Sequence, residues 1–294
     1  MRPRVIKMSL KDKLVDYLAD NPKTLGEVYK EFNDEKPSTI RGRLNENIGK
    51  AFIRLGKGIY IATKGGATAI IIEGDAWEKI KDIESESVDT IITDSPYSCL
   101  NHHLATGTTR KLSGEWSFKT ADIDPILLKE MLRVLKYGGH FFSFLPPDAA
   151  DTYDYNNQFV NMAREVGFTF NKRWIWNKMV FGMGYNGRNR YEQIMFMSKG
   201  KRRKPYDLSI PDVLDHKRIS PNDRIHEAEK PIELIKDILR FSNLEGDVVL
   251  DTFAGSLTLA LAGLDLGINT ISIELDHDII VKSMMARGLE NFIN

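Results

Sequence analysis

The chain has 294 residues, 42% hydrophobic and 28% charged, with a formal net charge of zero. That is the composition of an ordinary soluble globular protein of one large unit or a large and a small one, and it excludes a largely disordered, collagen-like or mucin-like chain. The single cysteine, Cys99, excludes an internal disulfide framework, no apolar run approaches the roughly 18–20 residues of a membrane span, and the basic start MRPRVIKMSLKDKL lacks a signal-peptide core, so cytoplasm is the expected compartment.

The zero net charge hides an asymmetry: residues 1–64 hold 14 Lys and Arg against 8 Asp and Glu, and the remainder is acidic. A basic small module suggests a polyanion partner. Leu10, Leu14, Tyr17 and Leu18 share one helical face. Asn21-Pro22 breaks that helix, and Thr24 with Glu27 three residues on forms a capping box for TLGEVYKEF. Ser38 is expected to cap a third helix, TIRGRLNENI, with Ile40, Leu44 and Ile48 inward and Arg41 and Arg43 among polar neighbours. AFIRLGKGIYIAT alternates around Gly56-Lys57-Gly58, which predicts a hairpin. Three short helices and a hairpin resemble a winged helix, whose third helix enters the major groove while the wing touches phosphates. That likeness assigns Arg41, Arg43, Lys50, Arg54 and Lys57 to DNA; protein contact or dimerisation is the other use of such a fold.

Residues 65–294 alternate apolar runs with amphipathic helices. Strands are expected at Ala69–Ile72, Val88–Thr93, His140–Leu145, Phe168–Trp176, Tyr191–Met197, Asp247–Leu250 and Asn269–Ile273. Helices are expected at Trp77–Ile83, Ile123–Leu135, Tyr153–Val166, Ile232–Phe241, Leu257–Asp265 and Asp278–Leu289. Such alternation predicts an α/β fold with a mainly parallel sheet, whose ligands bind where strands end.

Three strand ends carry chemistry. VVLDTFAGS ends at Asp251 and turns through Gly255, and INTISIELD ends its strand at Glu274, 19 residues after that glycine. This is close to the spacing of roughly 20 between a nucleoside-binding turn and its ribose-binding acid. A pyrophosphate site would show G-x-G-x-x-G. One glycine with an acid before it instead suits a cationic, phosphate-free nucleoside such as S-adenosylmethionine. The third end, VDTIITDSPY, delivers Asp94-Ser95-Pro96-Tyr97. Asp94 can accept from an exocyclic amine, a backbone carbonyl of Ser95 or Pro96 can accept a second bond, and Tyr97 can stack on a planar ring. Held so, the amine lone pair faces an electrophilic methyl, and the proton can leave afterwards.

Together these motifs resemble the amino-group DNA methyltransferases that modify adenine N6 or cytosine N4. Their Asp/Asn/Ser-Pro-Pro-aromatic signature appears as DSPY, with Ser95 for the first Pro, and their D-x-F-x-G-S-G-T turn as DTFAGSLT, with Leu257 for a glycine. The catalytic motif precedes the cofactor motif, the permuted order of the β class. GDAWEKI, HEAEKPIELI, WIWNK and GMGYNGRNRYEQIMFMSKGKRR extend the likeness over roughly Ile70 to Leu289. The resemblance implies a Rossmann-like methyltransferase sheet behind a small winged-helix domain, with S-adenosylmethionine held by Asp75, His226, Lys230, Pro231, Asp251, Phe253, Gly255, Ser256, Glu274 and Asp276. It implies a DNA adenine-N6 methyltransferase acting on a base flipped from duplex DNA, solitary or linked to restriction. Cytosine-N4 methylation, RNA adenine methylation and a catalytically decayed DNA-binding regulator are the alternatives. A second copy of the chain is a further candidate partner.

Basic residues at the mouth would hold phosphates during flipping. The candidates are Arg188 and Arg190 on a glycine-rich loop and the run Lys201, Arg202 and Arg203. The loop from Ser98 to Thr120 adds Asn101, His102, Arg110 and Lys111 directly after the catalytic motif. Adjacent His102 and His103 without a nearby acid or cysteine are a poor metal set, so no metal is expected. Trp174 and Trp176 are read as sheet packing.

Overall fold

A computed structural model describes residues 8–19, 23–47, 52–56, 59–62, 67–96, 123–148, 153–182, 187–226 and 228–289. The small N-terminal unit contains α1 (Leu10–Tyr17), β1 (Lys23–Thr24), α2 (Leu25–Glu31), α3 (Pro37–Glu46), β2 (Phe52–Gly56) and β3 (Ile59–Ala62). Its strands form an antiparallel sheet in the order β1-β3-β2. The core is Leu14, Leu18, Val28, Ile40, Leu44 and Phe52, as the helical spacing requires. Thr24 and Glu27 make the expected capping box. The start of α3 differs: Lys36 is the cap and Pro37 the first helical residue, because proline's fixed φ and missing N–H suit that position. Lys50, Lys57 and Ile48 lie outside the described residues.

The large unit follows as β4 (Ala69–Glu73), α4 (Ala76–Lys79), β5 (Val88–Thr93), α5 (Pro125–Val134), β6 (Leu135–Leu145), α6 (Tyr153–Val166), β7 (Phe168–Asn177), β8 (Tyr191–Lys199), β9 (Val213–Asp215), α7 (Ile232–Ser242), β10 (Val248–Asp251), α8 (Thr258–Asp265), β11 (Asn269–Glu274) and α9 (His277–Arg287). One sheet runs β4-β11-β10-β5-β6-β8-β7-β9. The first five strands are parallel, and β8 runs antiparallel to both β6 and β7. Every residue of β5 is buried, as a strand covered on both faces must be. Successive residues feed opposite cores: Ile91 and Phe141 pack with α5 and α6, whereas Ile92 and Phe142 pack with α7. Trp174 and Trp176 belong to the second core, at 3% and 2% exposure.

Two details depart from the sequence pattern. The chain passes from α5 straight into β6 at Leu135, five residues before the expected start, and an irregularity in the β5–β6 register absorbs the glycine pair. β9, with only Leu214 buried, is too short for its alternation to register.

The topology decides where a site can form. β10 and β5 are hydrogen-bonded neighbours, Val249 opposite Thr90 and Leu250 opposite Ile91, although about 160 positions separate them in sequence. The order reverses between them, so the crevice at their carboxyl ends is the switch point.

Candidate active site

Asp94 follows β5 and Asp251 closes β10, so parallel pairing brings the two predicted motifs to one edge. The crevice there is lined by Asp94, His226, Lys230, Asp251, Phe253 and Gly255, among others. Burial pushes the Asp251 carboxyl up to about 7; the Phe253 N–H opposes this at 3.0 Å, and the Asp94 and Glu274 charges add to it. Among the described residues no cationic side chain is bonded to Asp251, so a positive ligand would relieve it and a pyrophosphate would be repelled.

The turn after β10 is shaped for a close ligand. Gly255 has φ +48°, and a Cβ there would sit 3.4 Å from the His226 ring. Its N–H donates to Glu274 Oε2 at 2.6 Å, while Glu274 Oε1 accepts from the Asp276 N–H at 2.9 Å. Each oxygen keeps a second lone pair for ribose hydroxyls. Leu257, in the family's glycine position, is left-handed at φ 57° and fully buried. Its side chain packs with Ala69, Ile71, Ala260 and Ile280, which offsets the strain. Phe253 meets Trp77 edge to face at 5.8 Å, and Asp75 caps α4 by accepting from the Trp77 N–H. Asp276 caps α9, and this accounts for the residue without a ligand.

The segment before α7 folds over this turn. Arg287 donates to the Ser256 carbonyl at 2.6 Å and to Glu229 Oε1 at 2.6 Å. Glu229 Oε2 accepts from the Ile225 N–H at 2.7 Å. Pro231 begins α7 as its cap. Lys230 does not point away toward a ligand: its ammonium is bonded to Asp94 Oδ2 and to the Ala228 carbonyl, and Glu192 Oε2 lies 3.5 Å off. Glu192 in turn pairs with Lys178 at 3.2 Å.

Charge decides the protonation of this cluster. Burial raises the Asp94 pKa and Lys230 opposes it. For Lys230 burial acts downward, but Asp94 and Glu192 outweigh it and hold the ammonium protonated. Burial likewise works against the Glu192 carboxylate, and Lys230 and Lys178 overcome it. Ser95 is 2% exposed, and its hydroxyl has no hydrogen-bond partner among the described residues.

The expected DNA contacts divide by strand direction. β8 is antiparallel, so Arg188 and Arg190 at its start lie at the crevice end, both exposed. Lys201, Arg202 and Arg203 follow its far end, beside the start of β6, and this corrects their placement at the mouth. Arg203 is committed to the interior: it bonds Thr90 at 3.0 Å and the Ser242 carbonyl at 2.6 Å, and faces Asp89. Arg54 pairs with Glu84 of the large unit. Arg41 and Arg43 stand exposed on α3, bonded to Tyr29 and Glu46. Tyr97, Asn101, His102, Arg110 and Lys111 lie outside the described residues. Sequence reasoning missed Trp77, Lys178, Glu192, Glu229 and Arg287. All but Arg287, Trp77 and Glu229 depend on pairing between β7 and β8, and those three are long-range contacts that no local pattern announces.

A doubly wound sheet with the Gly255 turn and the Asp94 carboxylate side by side at its switch point defines a methyltransferase-type α/β domain. The chain belongs to the N6/N4 DNA methylase family, whose model, described as DNA methylase, matches residues 88–284. It is similar to the DNA adenine methyltransferase YhdJ of Escherichia coli K12, at 26% identity over 253 residues, covering 74% of this chain and 81% of that protein. Two solved structures share the fold. TTHA0409 of Thermus thermophilus, complexed with S-adenosyl-L-methionine, gives a TM-score of 0.56 at 18% identity over 78% of this chain and 99% of that one. The PvuII cytosine-N4-specific DNA methyltransferase gives 0.58 at 19% identity over 78% and 89%. Among the described residues no helix is long and apolar enough to cross a membrane.

Proposed function

We propose that this DNA methylase transfers a methyl group from S-adenosylmethionine to the N6 amino group of adenine in duplex DNA, in the cytoplasm. The observation that carries the reading is Asp94, a half-buried carboxylate at a strand end, adjacent to a turn whose carboxylates suit a cationic nucleoside. S-adenosylmethionine supplies an electrophilic methyl on a positively charged sulfur and no phosphate. Asp251 and Glu274 answer that charge and the ribose hydroxyls, Phe253 flanks the adenine with Trp77 behind it, and Arg287 with Glu229 holds the 225–230 segment over the turn.

On the other side, Asp94 accepts from the target amine, and the backbone carbonyl of Ser95 or Pro96 accepts its second proton. Both bonds draw the lone pair out of conjugation with the ring and toward the methyl. The nitrogen–methyl bond would form as the sulfur–methyl bond breaks, leaving S-adenosylhomocysteine, and the nitrogen's proton would then pass to Asp94, so no strong base is needed first. Tyr97 supplies the face on which the base stacks. Arg188 and Arg190 hold phosphates at the crevice mouth. Residues 1–64 act as a winged helix that shares sequence recognition with the loop from Ser98 to Thr120, with Arg41 and Arg43 toward DNA.

Adenine rather than cytosine is favoured by the acid in the first motif position and by the name of the YhdJ relative. The test is to incubate the enzyme with labelled S-adenosylmethionine and unmethylated genomic DNA, digest to nucleosides and identify the labelled base. N6-methyladenine is expected. N4-methylcytosine would keep the mechanism and overturn the base, and cofactor binding without any labelled base would point to a decayed regulator.

A further inference from the structure

The Asp94 reading leaves a charge to be placed. A target amine needs acceptor lone pairs on Asp94, and one oxygen is already bonded to the Lys230 ammonium. The amine nitrogen also gains positive charge as the methyl arrives. That charge moves from the donor sulfur to the nearer nitrogen; two full positive charges about 4 Å apart repel by about 4 kcal/mol at an effective dielectric near 20, which sets an upper bound of about a thousandfold on the slowing. Lys230 therefore opposes the reaction if it stays on Asp94.

Release to water is restricted to the crevice that Lys230 lines. Lys230 is 9% exposed, with Phe144 at 5.0 Å and Trp176 at 5.9 Å across its ammonium. Its stem enters from the segment before α7, and Glu192 from β8. Glu192 Oε2 lies 3.5 Å from Nζ, just beyond a hydrogen bond, while Oε1 is taken by Lys178. A small rotation of the lysine end exchanges one carboxylate partner for another without uncovering a bare charge.

On the reading of Asp94 as amine acceptor, we propose that Glu192 is the second seat of Lys230, taking the ammonium when the target amine takes Asp94. Glu192 is thus a positioning residue, acting on the reaction through the lysine. Lys178 keeps Glu192 charge-compensated while the lysine sits on Asp94, so the seat is ionised in both positions. A glutamine at 192 keeps shape and hydrogen-bonding capacity but offers no charge to receive the ammonium. An aspartate keeps the charge one methylene further back.

The test is single-turnover methylation of unmethylated genomic DNA at saturating labelled S-adenosylmethionine. It compares the full-length wild type with Glu192→Gln, Glu192→Asp, Lys230→Met and the Lys230→Met/Glu192→Gln pair. Melting temperature and S-adenosylhomocysteine affinity serve as controls for folding and the cofactor side. Glu192→Gln is expected to slow transfer at least about tenfold with cofactor affinity within about threefold, Glu192→Asp to recover most of the rate, and the glutamine to have little further effect once Lys230 is methionine. Equal losses in both lysine backgrounds, an aspartate as slow as the glutamine, or a glutamine as fast as wild type would each overturn the proposal. If Lys230→Met has no measurable rate, the aspartate–glutamine comparison decides alone. A wild type that labels no DNA removes the Asp94 reading instead, which is a distinct failure.

Discussion

Removing the Arg287 guanidinium probes how the cofactor segment is held. Arg287 and Glu229 are 9% and 6% exposed at the side chain, 2.6 Å apart, and Arg287 also donates to the Ser256 carbonyl at 2.6 Å and to Thr258 Oγ1 at 3.2 Å. Arg287→Met keeps the apolar stem but leaves Glu229 buried with no guanidinium. Deleting one partner of a buried pair costs about 3–5 kcal/mol. For a domain of 150–250 residues, each kcal/mol moves Tm by about 2–4 °C, so global unfolding would shift by roughly 10 °C. The backbone N–H of Ile225 still bonds Glu229, so part of the loss can appear as local opening of residues 225–230 and as weaker cofactor binding. Thermal melting with and without S-adenosylmethionine, alongside calorimetric affinity, separates the two. Glu229→Gln in the same chain should restore part of the loss, because it removes the stranded charge. Unchanged melting and unchanged affinity in Arg287→Met would refute the idea that this pair clasps the segment to the turn.

Three other perturbations test separate parts of the account. Asp251 rises from an ordinary 3.8 to about 7 on folding, so the native state holds an extra proton between those values; stability should fall as pH rises from about 4 to about 7, by at most about 4 kcal/mol, and level off above. Asp251→Asn should flatten that slope in pH-dependent denaturation, and wild-type affinity for S-adenosylmethionine should rise over the same window; a slope identical in the variant would contradict the assignment. At Leu257, loss of a fully buried side chain destabilises both small variants, yet the left-handed backbone favours glycine over alanine by about 1 kcal/mol, so Leu257→Gly should melt above Leu257→Ala, the reverse of the usual helix order. Replacing Arg188 and Arg190 together by Gln should reduce the salt slope of DNA binding by about 2, whereas Lys201 and Arg202 changed together should leave it alone. Equal effects of the two pairs would undo the placement derived from β8 direction.

Local periodicity is enough to locate most elements. Val88–Thr93 reads as a strand because it is a short, largely β-branched run buried throughout, Phe168–Asn177 because its aromatic residues alternate toward Trp174 and Trp176, and the Thr24–Glu27 box announces α2. The two motif strands are legible as strand ends; that they are neighbours is set by the sheet order. What stays hidden is direction and distance. The run Lys199–Lys204 looks like a DNA-binding stretch until β8 is known to run antiparallel, which puts it at the opposite end from Asp94. Arg203 looks like its basic neighbours, and only Asp89, Thr90 and Ser242 from other elements show that it is interior. The family resemblance places Lys230 on the cofactor side; its bond to Asp94, 136 positions away, depends on the packing of α7 against β5 and has no local signature. Glu192 is one acid in a polar-to-apolar strand, and nothing in YEQIMFMSK distinguishes it from a surface residue.

The central claim is that Asp94 receives the target amine while the turn after β10 independently holds the methyl donor. Asp94→Ala separates these, because it removes the acceptor and leaves Gly255, Glu274 and Asp251 in place, relieving only the Asp94 charge that Asp251 feels. Single-turnover transfer from labelled S-adenosylmethionine to unmethylated DNA, measured with S-adenosylhomocysteine affinity on the same preparation, reads both halves. Transfer should fall at least about a hundredfold with affinity changed less than about threefold. Transfer at near wild-type rate in Asp94→Ala would contradict the claim.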